Sequence, residues 1–395
     1  MSRVARKKPG LSTLSVHASE RRDASGALDC PLVLSSAFAF ESAEVAAAAF
    51  RGENEHLIYG RWGNPTVSEL EARVAALEEA EAGAATASGM AAVSGAILSL
   101  AKAGDHVVAP LACYGETARL LRERLPELGI ETTFVDATSV AAYRSACRPE
   151  TRVLYVETPA NPNLAITDIE AVVALARERG ALVVADNTFA TPYCQTPLAL
   201  GVDLVVHSLT KALGGHGDAI GGVVVGSAER VARVRELTLK SFGSVLSPFN
   251  AFLVARGLST FALRQERACA SAARIADALS HRSGVARVHY PGLESHPGHD
   301  VARRQMRAFG SLLSFELTGG VDAGRRVLDR VQLISHAVSL GDVRSLITHP
   351  ASTTAASVPA DVRRAAGIGD GLIRLSVGIE DADDLLADLE AALAS

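Results

Sequence analysis

Short valine-rich runs alternate with helical patterns between residues 64 and 226, and this alternation constrains the fold more than any other feature. Such runs have the length and composition of fully buried strands and close on polar residues or proline. They are DHVVAP (105–110), TTFVD (132–136), RVLYVET (152–158), ALVVAD (181–186) and VDLVVHS (202–208). The alternation predicts an α/β fold with a mainly parallel sheet covered by helices on both faces.

The segments next to these runs carry helical periodicity. The predicted helices are 65–83, 88–104, 115–129 and 167–180. Pro65 opens the first and Gly129 closes the third, which is the usual punctuation of helix starts and stops.

The pattern changes at about residue 250. A long helical stretch (247–282) is followed by the strand-like pieces SLLSFEL (311–317) and LIRLSVG (372–378) and by a terminal helix (381–393). This succession predicts a second, smaller α+β domain. We therefore expect an N-terminal arm that packs on another subunit, a cofactor-binding domain and a C-terminal α+β domain, at residues 1–63, 64–255 and 256–395.

Composition and charge exclude several classes of protein. The chain has 395 residues, 48% hydrophobic, which favours two domains over one core. Its formal net charge of -5 argues against a nucleic-acid partner. No window approaches roughly 18 consecutive apolar residues, so we expect no membrane span. The one basic cluster, residues 3–8, is predicted to be a loose tail and not a signal peptide.

The cysteines are scattered, odd in number and never spaced C-x-x-C. They are Cys30, Cys113, Cys147, Cys194 and Cys269. This usage argues against a disulfide framework and against a zinc cluster, and it predicts a reducing, cytoplasmic location.

Polar residues fall where predicted strands end, which is where open parallel sheets bind ligands. Asp186 ends one strand, Asn161 follows another, and Lys211 follows a third. Ser88, Gly89 and Met90 begin a predicted helix, where free amides favour an anion and glycine permits close approach. Singly, each feature has an ordinary explanation: a turn, a helix cap or a solvated lysine.

Together these features describe a site for pyridoxal 5'-phosphate. Lys211 would bind the aldehyde of the cofactor covalently, and Asp186 would keep its ring nitrogen protonated. The glycines after Lys211 leave room beside the amine. The predicted phosphate ligands are Ser208, Thr210 and the amides of Gly89 and Met90.

Several longer motifs occur in a fixed order along the chain. They are YGRWGNPT (59–66), ASGMAA (87–92), VETPANP (156–162), ADNTFATPY (185–193), HSLTKALGGHGD (207–218), VSLGDVRSL (338–346), HPAS (349–352) and IRLSVGIED (373–381). With these motifs the chain resembles, from about residue 13 to its C-terminus, the cysteine/methionine-metabolism family of pyridoxal-phosphate enzymes. That family includes cystathionine γ-synthase, the cystathionine and methionine γ-lyases and the homoserine-ester sulfhydrylases. The resemblance implies pyridoxal-phosphate fold type I, the aspartate-aminotransferase-like fold.

The resemblance also implies a shared active site. Tyr59 and Arg61 would bind the cofactor phosphate of the neighbouring subunit, in a homotetramer built as a dimer of dimers. Tyr114 would stack on the cofactor ring and act as a general acid or base.

Substrate binding is implied for three further residues. Arg374, assisted by Asn161 and Ser339, would clamp the substrate carboxylate, because a planar guanidinium matches a carboxylate bidentately. The local pattern alone predicts otherwise. In LIRLSVG, Arg374 alternates with Leu372 and Ser376 onto one face, which the pattern predicts to be solvent-exposed.

Two reactions are possible within this family. Elimination of the γ-substituent from methionine or a related thioether gives 2-oxobutanoate, ammonia and a thiol, whereas replacement by a thiol makes a transferase. Val338 and the sequence Ser339 to Asp342 lean toward a methionine γ-lyase. Glu116 departs from that pattern, since the best-known methionine γ-lyases carry cysteine there, and HPASTTAASV (349–358) would also suit a sulfhydrylase.

The alternatives within the family are therefore γ-replacement, as in cystathionine γ-synthase or an acylhomoserine sulfhydrylase, and cystathionine γ-lyase. Outside it, a nicotinamide dehydrogenase is disfavoured because no G-x-G-x-x-G follows the first predicted strand. A non-catalytic cofactor-binding regulator is disfavoured because the acid, the lysine and the tyrosine are all present.

Overall fold

Two sheets organise the described part of the chain, residues 9–18, 26–356 and 358–394, in this computed structural model. The first sheet has the order β1-β7-β6-β5-β4-β2-β3. Its strands are β1 Ala82–Thr86, β2 His106–Pro110, β3 Glu131–Val135, β4 Thr151–Glu157, β5 Leu182–Asp186, β6 Leu204–Ser208 and β7 Gly222–Gly226. β7 runs antiparallel to both of its neighbours, β1 and β6, and the other strand pairs of this sheet are parallel. The predicted α/β fold with a mainly parallel sheet is confirmed.

The second sheet is smaller and lies in the C-terminal part of the chain. Its order is β10-β11-β12-β9-β8. The strands are β8 Val285–His289, β9 Leu312–Leu317, β10 Ser335–His336, β11 Leu346–Thr348 and β12 Leu372–Ser376. Both strand-like pieces predicted from the sequence are present, as β9 and β12, and a smaller α+β unit is confirmed.

Helices cover both sheets. They are α1 Leu11–His17, α2 Ala43–Phe50, α3 Pro65–Glu78, α4 Gly89–Leu98, α5 Gly115–Arg119, α6 Leu125–Glu127, α7 Val140–Ala146, α8 Ile169–Arg179, α9 Thr191–Cys194, α10 Ala228–Val234, α11 Pro248–Leu258, α12 Phe261–Ser280, α13 His299–Gln305, α14 Gly320–Arg330, α15 Ala360–Ala365 and α16 Ala382–Leu393. Wider π turns at Leu120–Arg124 and Arg235–Ser241 continue α5 and α10. Single 3-10 turns lie at Pro197–Leu200 and Pro350–Ser352.

The core of the first sheet has two apolar layers. Side chains of successive residues point to opposite faces of a strand. Val108 accordingly packs in one layer with Leu154, while Val107 packs in the other with Val153. Burial on both faces explains why these strands are continuous valine-rich runs and do not alternate with polar residues.

Three predicted helices differ from the structure in length or continuity, and one of them, predicted at 88–104, ends at Leu98. The predicted helix 65–83 ends at Glu78, because Glu79 adopts a left-handed conformation with φ 62°, and β1 follows. This strand was missed because its sequence, AGAAT, lacks the β-branched run that marks a buried strand. Small residues are needed here: a Cβ at Gly83 would lie 2.9 Å from the carbonyl oxygen of Glu71 on α3. The predicted helix 247–282 is interrupted at Ser259 and Thr260.

The remaining general predictions concern the arm and the surface. The described part of the predicted N-terminal arm contains two short helices, α1 and α2. The basic cluster at residues 3–8 lies outside the described residues. Among the described residues, no helix is long and apolar enough to cross a membrane. Within those same ranges, no cluster of three His, Cys, Asp or Glu side chains has the arrangement of a metal site.

Candidate active site

The predicted cofactor residues lie at the carboxyl edge of the first sheet, where β4, β5 and β6 end side by side. Glu157 ends β4, Asp186 ends β5 and Ser208 ends β6. Glu157 pairs in register with Asp186 across the parallel ladder. Because parallel strands end at one edge, polar groups far apart in sequence are brought into a single cleft.

Asp186 is held in place by two donors. Its Oδ1 accepts a hydrogen bond from the Thr188 amide at 3.0 Å, and its Oδ2 accepts one from the Tyr155 hydroxyl at 3.3 Å. Burial raises the pKa of Asp186 above the usual range of an aspartate, and these hydrogen bonds oppose the rise. A nearby cationic ring nitrogen would favour the ionised form of this carboxylate.

Lys211 lies in the turn after β6 and reaches the C-terminal part of the chain. Its Nζ donates a hydrogen bond to the Ser339 hydroxyl at 2.7 Å. Burial, and secondly the charge of Arg374, lower the pKa of Lys211 to about 8. A substantial fraction of this amine is therefore neutral near pH 8, as a nucleophile or general base requires.

Arg374 is buried, with 6% of its surface exposed, so the solvent-exposed location predicted from its local pattern is wrong. The reason is tertiary: β12 is an interior strand, flanked by β11 and β9. Nη1 of Arg374 donates to Oδ1 of Asn161 at 3.1 Å, and Nη2 donates to the Ser339 carbonyl at 2.7 Å. Burial lowers the pKa of Arg374 to about 10. Its Nε is buried without a hydrogen-bond partner among the described residues, which leaves a donor for an anionic ligand.

Ser339 connects the lysine and the arginine. Its hydroxyl contacts Lys211 and its carbonyl contacts Arg374. It is one of the few described non-glycine residues with positive φ, at 95°. Such backbone conformations are unfavourable for residues with a Cβ and persist where the surroundings hold them.

The predicted phosphate cradle lies between the start of α4 and the end of β6. A Cβ at Gly89 would lie 2.8 Å from Cβ of Ser208, so only glycine permits this approach. Ser88 caps the helix by accepting from the Ala91 amide at 3.2 Å. The amides of Gly89 and Met90 precede the intrahelical ladder and are available to an anion.

Thr210 lies near this cradle but has a main-chain partner. Its hydroxyl donates to the Gly221 carbonyl at 3.3 Å and lies 3.1 Å from the Gly221 amide, from which it accepts. The assignment of Thr210 as a phosphate ligand stays a prediction.

Tyr114 lies at the start of α5 with 46% of its surface exposed. Burial, and secondly the carboxylate of Glu116, raise the pKa of Tyr114, while the charge of Arg374 lowers it. The phenol is therefore protonated near neutral pH and faces the cleft that contains Arg374. It can supply a proton there.

Tyr59 and Arg61 do not join the group around Lys211 through any contact within the described chain. The Arg61 guanidinium lies 5.6 Å from the centre of the Tyr59 ring and donates to the Lys240 carbonyl. Their predicted role concerns a second copy of the chain, and it stays a prediction.

Sequence reasoning missed Glu157, Tyr155 and Thr188, which hold or surround Asp186 and Tyr114. The available signal for Glu157 was its place in VETPANP, at the end of a predicted strand. A carboxylate in that position faces the same cleft as Asp186.

These donors and acceptors fit pyridoxal 5'-phosphate. The cleft offers a half-buried amine of lowered pKa, a strand-end carboxylate for a ring nitrogen, and a helix start too close to Ser208 for any residue but glycine. Each corresponds to one functional group of the cofactor: aldehyde, pyridine nitrogen and phosphate.

Comparisons with known proteins agree with this assignment. The family model described as "Cys/Met metabolism PLP-dependent enzyme" matches residues 12–394. An L-methionine gamma-lyase of Fusobacterium nucleatum subsp. polymorphum is 48% identical, with 98% of both chains covered. A crystal structure of cystathionine gamma-lyase from Lactobacillus plantarum superposes with a TM-score of 0.91, at 40% identity, covering 98% of this chain and 99% of the other. A proposed O-acetylhomoserine (thiol)-lyase from Campylobacter jejuni subsp. jejuni, whose structure contains a pyridoxyl-lysine monophosphate residue, has a TM-score of 0.95 at 33% identity, covering 98% and 100%.

Proposed function

The chain belongs to the family of Cys/Met metabolism PLP-dependent enzymes, and we propose that it catalyses γ-elimination on methionine or a closely related thioether amino acid. The products would be 2-oxobutanoate, ammonia and a thiol. The observation that carries this proposal is the contact of Lys211 and Arg374 with the same residue, Ser339. It puts an amine of lowered pKa beside a buried guanidinium that suits an α-amino acid carboxylate.

The side chains around the cleft have separate roles in this reaction. Arg374 and Asn161 bind the substrate carboxylate and orient Cα toward Lys211. Lys211 removes the Cα proton, since its lowered pKa leaves much of the amine neutral near pH 8. Tyr114, which is protonated near neutral pH, donates a proton to the departing sulfur. Pyridoxal phosphate, when bound, supplies the electron sink that stabilises negative charge on the substrate carbons.

Methionine is favoured over cystathionine as the substrate by the stretch that contains Ser339. Val338, immediately before it, is 62% exposed and offers an uncharged surface. An apolar group there suits the methyl end of methionine better than the distal ammonium of cystathionine. The L-methionine gamma-lyase of Fusobacterium nucleatum at 48% identity supports the same choice.

Product analysis tests the proposed reaction. Purified enzyme loaded with pyridoxal phosphate is expected to release 2-oxobutanoate and methanethiol from methionine in equal amounts. Parallel assays contain cystathionine, or an O-acylhomoserine with sulfide. Efficient formation of homocysteine in the last assay, with no 2-oxobutanoate from methionine, would assign γ-replacement instead.

The assembly proposed for this enzyme is a homotetramer of two dimers, each dimer sharing its active sites, in the cytoplasm. It is supported by the exposure of Tyr59, at 43%, in an arm outside both sheets. A symmetric dimer is the commonest closed assembly and suits an arm exchanged in both directions. Free thiols at all five cysteines are consistent with a reducing compartment.

Subunit mixing tests the shared site. Arg61→Ala and Lys211→Ala proteins are each expected to be inactive, whereas their mixed dimer has one site with both defects and one intact site. Random exchange of equal amounts should therefore restore about one quarter of wild-type activity. Arg51 lies in the same arm but pairs with Glu53, so Arg51→Ala protein is expected to be active by itself. An equal mixture of Arg51→Ala and Lys211→Ala proteins serves as the control and should have about half of wild-type activity. Absence of recovery after demonstrated subunit exchange would mean that the arm serves its own chain.

A further inference from the structure

A buried carboxylate that the proposed reaction does not use lies between two residues that it does use. Glu157 ends β4, and 3% of its surface is exposed. Its Oε2 accepts a hydrogen bond from the Tyr114 amide at 2.9 Å. Its Oε1 accepts one from the Asn161 amide at 3.0 Å. One rigid group thus holds the main chain of two separate loops.

The two loops have different tasks in the proposed reaction. The loop before α5 presents the phenol of Tyr114, which protonates the departing sulfur. The loop after β4 presents Asn161, whose Oδ1 accepts from Arg374 at 3.1 Å in the carboxylate clamp. Glu157 is therefore hydrogen-bonded to the main chain of both the tyrosine that is assigned to the departing group and the asparagine that is assigned to the carboxylate clamp.

The surroundings of Glu157 make the burial of its carboxylate unfavourable in free energy. It pairs in register with Asp186, which is also a carboxylate. Burial, and secondly the charge of Asp186, raise the pKa of Glu157 to about 8, while the two amides lower it. A neutral side chain would avoid the desolvation of a carboxylate beside a second carboxylate. No neutral side chain of this shape can accept from both amides, however, because glutamine has only one acceptor oxygen.

We propose that Glu157 is a positioning residue that couples the proton-donating tyrosine to the substrate-carboxylate clamp. This inference rests on the proposed function of the site. Glu157 touches neither substrate nor cofactor in this role, and it acts through the amides of Tyr114 and Asn161. Loss of either hydrogen bond releases one loop from the other.

The variant Glu157→Gln tests the coupling with little change of shape. Its amide group would face one of the two N–H donors, so one loop loses its acceptor. We expect kcat/KM for elimination to fall about 30-fold, because one buried N–H donor is left without an acceptor. Cofactor content and the visible absorption of the lysine-bound cofactor should stay unchanged, since Lys211 and the phosphate cradle are untouched.

Glycine binding separates positioning from the reaction itself. Glycine has a carboxylate but no leaving group, so its Kd, followed by the absorbance of the bound cofactor, reports on the clamp alone. We expect Glu157→Gln to raise that Kd about 30-fold if the Asn161 amide loses its acceptor, or to lower kcat about 30-fold if the Tyr114 amide loses it. The glycine Kd can be measured whether the enzyme catalyses elimination or replacement. A failure of the proposed γ-elimination would therefore not invalidate this test of Glu157.

Asp203→Asn is the matched control. Asp203 also accepts from a backbone amide, that of Val183 at 2.8 Å, and it pairs with Arg230 at 2.9 Å, but it precedes β6 at the opposite edge of the sheet. The variant Asp203→Asn should lower Tm without changing kcat or the glycine Kd. Should Glu157→Gln not fold, Glu157→Asp keeps the carboxyl group but withdraws it by one methylene, and this variant should lose at least about fivefold in kcat/KM. Kinetics and glycine binding within about twofold of wild type in the folded variant would overturn the proposal.

Discussion

Replacing Lys211 with alanine is expected to abolish turnover and to remove the visible absorption band of the covalently bound cofactor. Lys211 is the half-buried amine of the cleft, its pKa is lowered to about 8, and its Nζ contacts Ser339 at 2.7 Å. Removing it deletes both the covalent attachment and the base that takes the Cα proton, which corresponds to a loss of at least about 10³-fold in kcat.

The measurement combines turnover with absorption spectra of the cofactor-loaded protein. Lys102→Ala is the control, because Lys102 is an exposed lysine near the opposite edge of the sheet. It should retain wild-type activity and spectrum. Near-normal activity of Lys211→Ala would show that another group carries the chemistry, and the assignment of the cleft would then be wrong.

Replacing Arg374 with methionine is expected to lower kcat/KM for the amino acid by about 10²- to 10³-fold. Truncating one partner of a buried, hydrogen-bonded charge pair costs about 3–4 kcal/mol, and each 1.4 kcal/mol is a factor of about ten. Most of this loss should lie in KM, because the contact to the carboxylate is made in the bound substrate and in the transition state alike.

A substrate analogue without a carboxylate makes this test specific. The amine that has the side chain of methionine but lacks the carboxylate should bind wild type and Arg374→Met with similar affinity, measured by the absorbance of the bound cofactor. Arg303→Met is the control, since its side chain is 74% exposed. Equal losses for methionine and for the amine would indicate a damaged fold and not a missing carboxylate clamp.

Most of the first sheet could be predicted because its evidence is local. A run such as VDLVVHS is buried on both faces of its strand, so its own composition identifies it. β1 was not predicted for a related reason, whereas β7, with the sequence GVVVG, was missed although it has the same local signal as the predicted strands. In β1 small side chains are needed because α3 packs against Gly83. The strand therefore lacks the β-branched and aromatic residues by which a strand is recognised in a sequence.

The residues of the candidate site also fall into those that could be predicted from the sequence and those that could not. Asp186, Ser208 and Lys211 could be predicted because each lies at the end of a recognisable strand, and parallel strands end at one edge. The burial of Arg374 could not be predicted from its neighbours. Its partner Asn161 lies 213 residues away, in a loop of the first sheet.

The sequence by itself determined the strand–helix order, the family and the lysine and carboxylate that suit the cofactor, because these depend on short-range periodicity and on motifs. Only the tertiary structure decided that Ser339 joins Lys211 to Arg374 and that Glu157 holds the main chain at Tyr114 and Asn161. The physical reason is the sequence separation over which each kind of interaction acts. Local patterns report which face of an element avoids water, whereas the contacts of a charged group depend on where distant elements pack, and burial then determines its pKa and its partners.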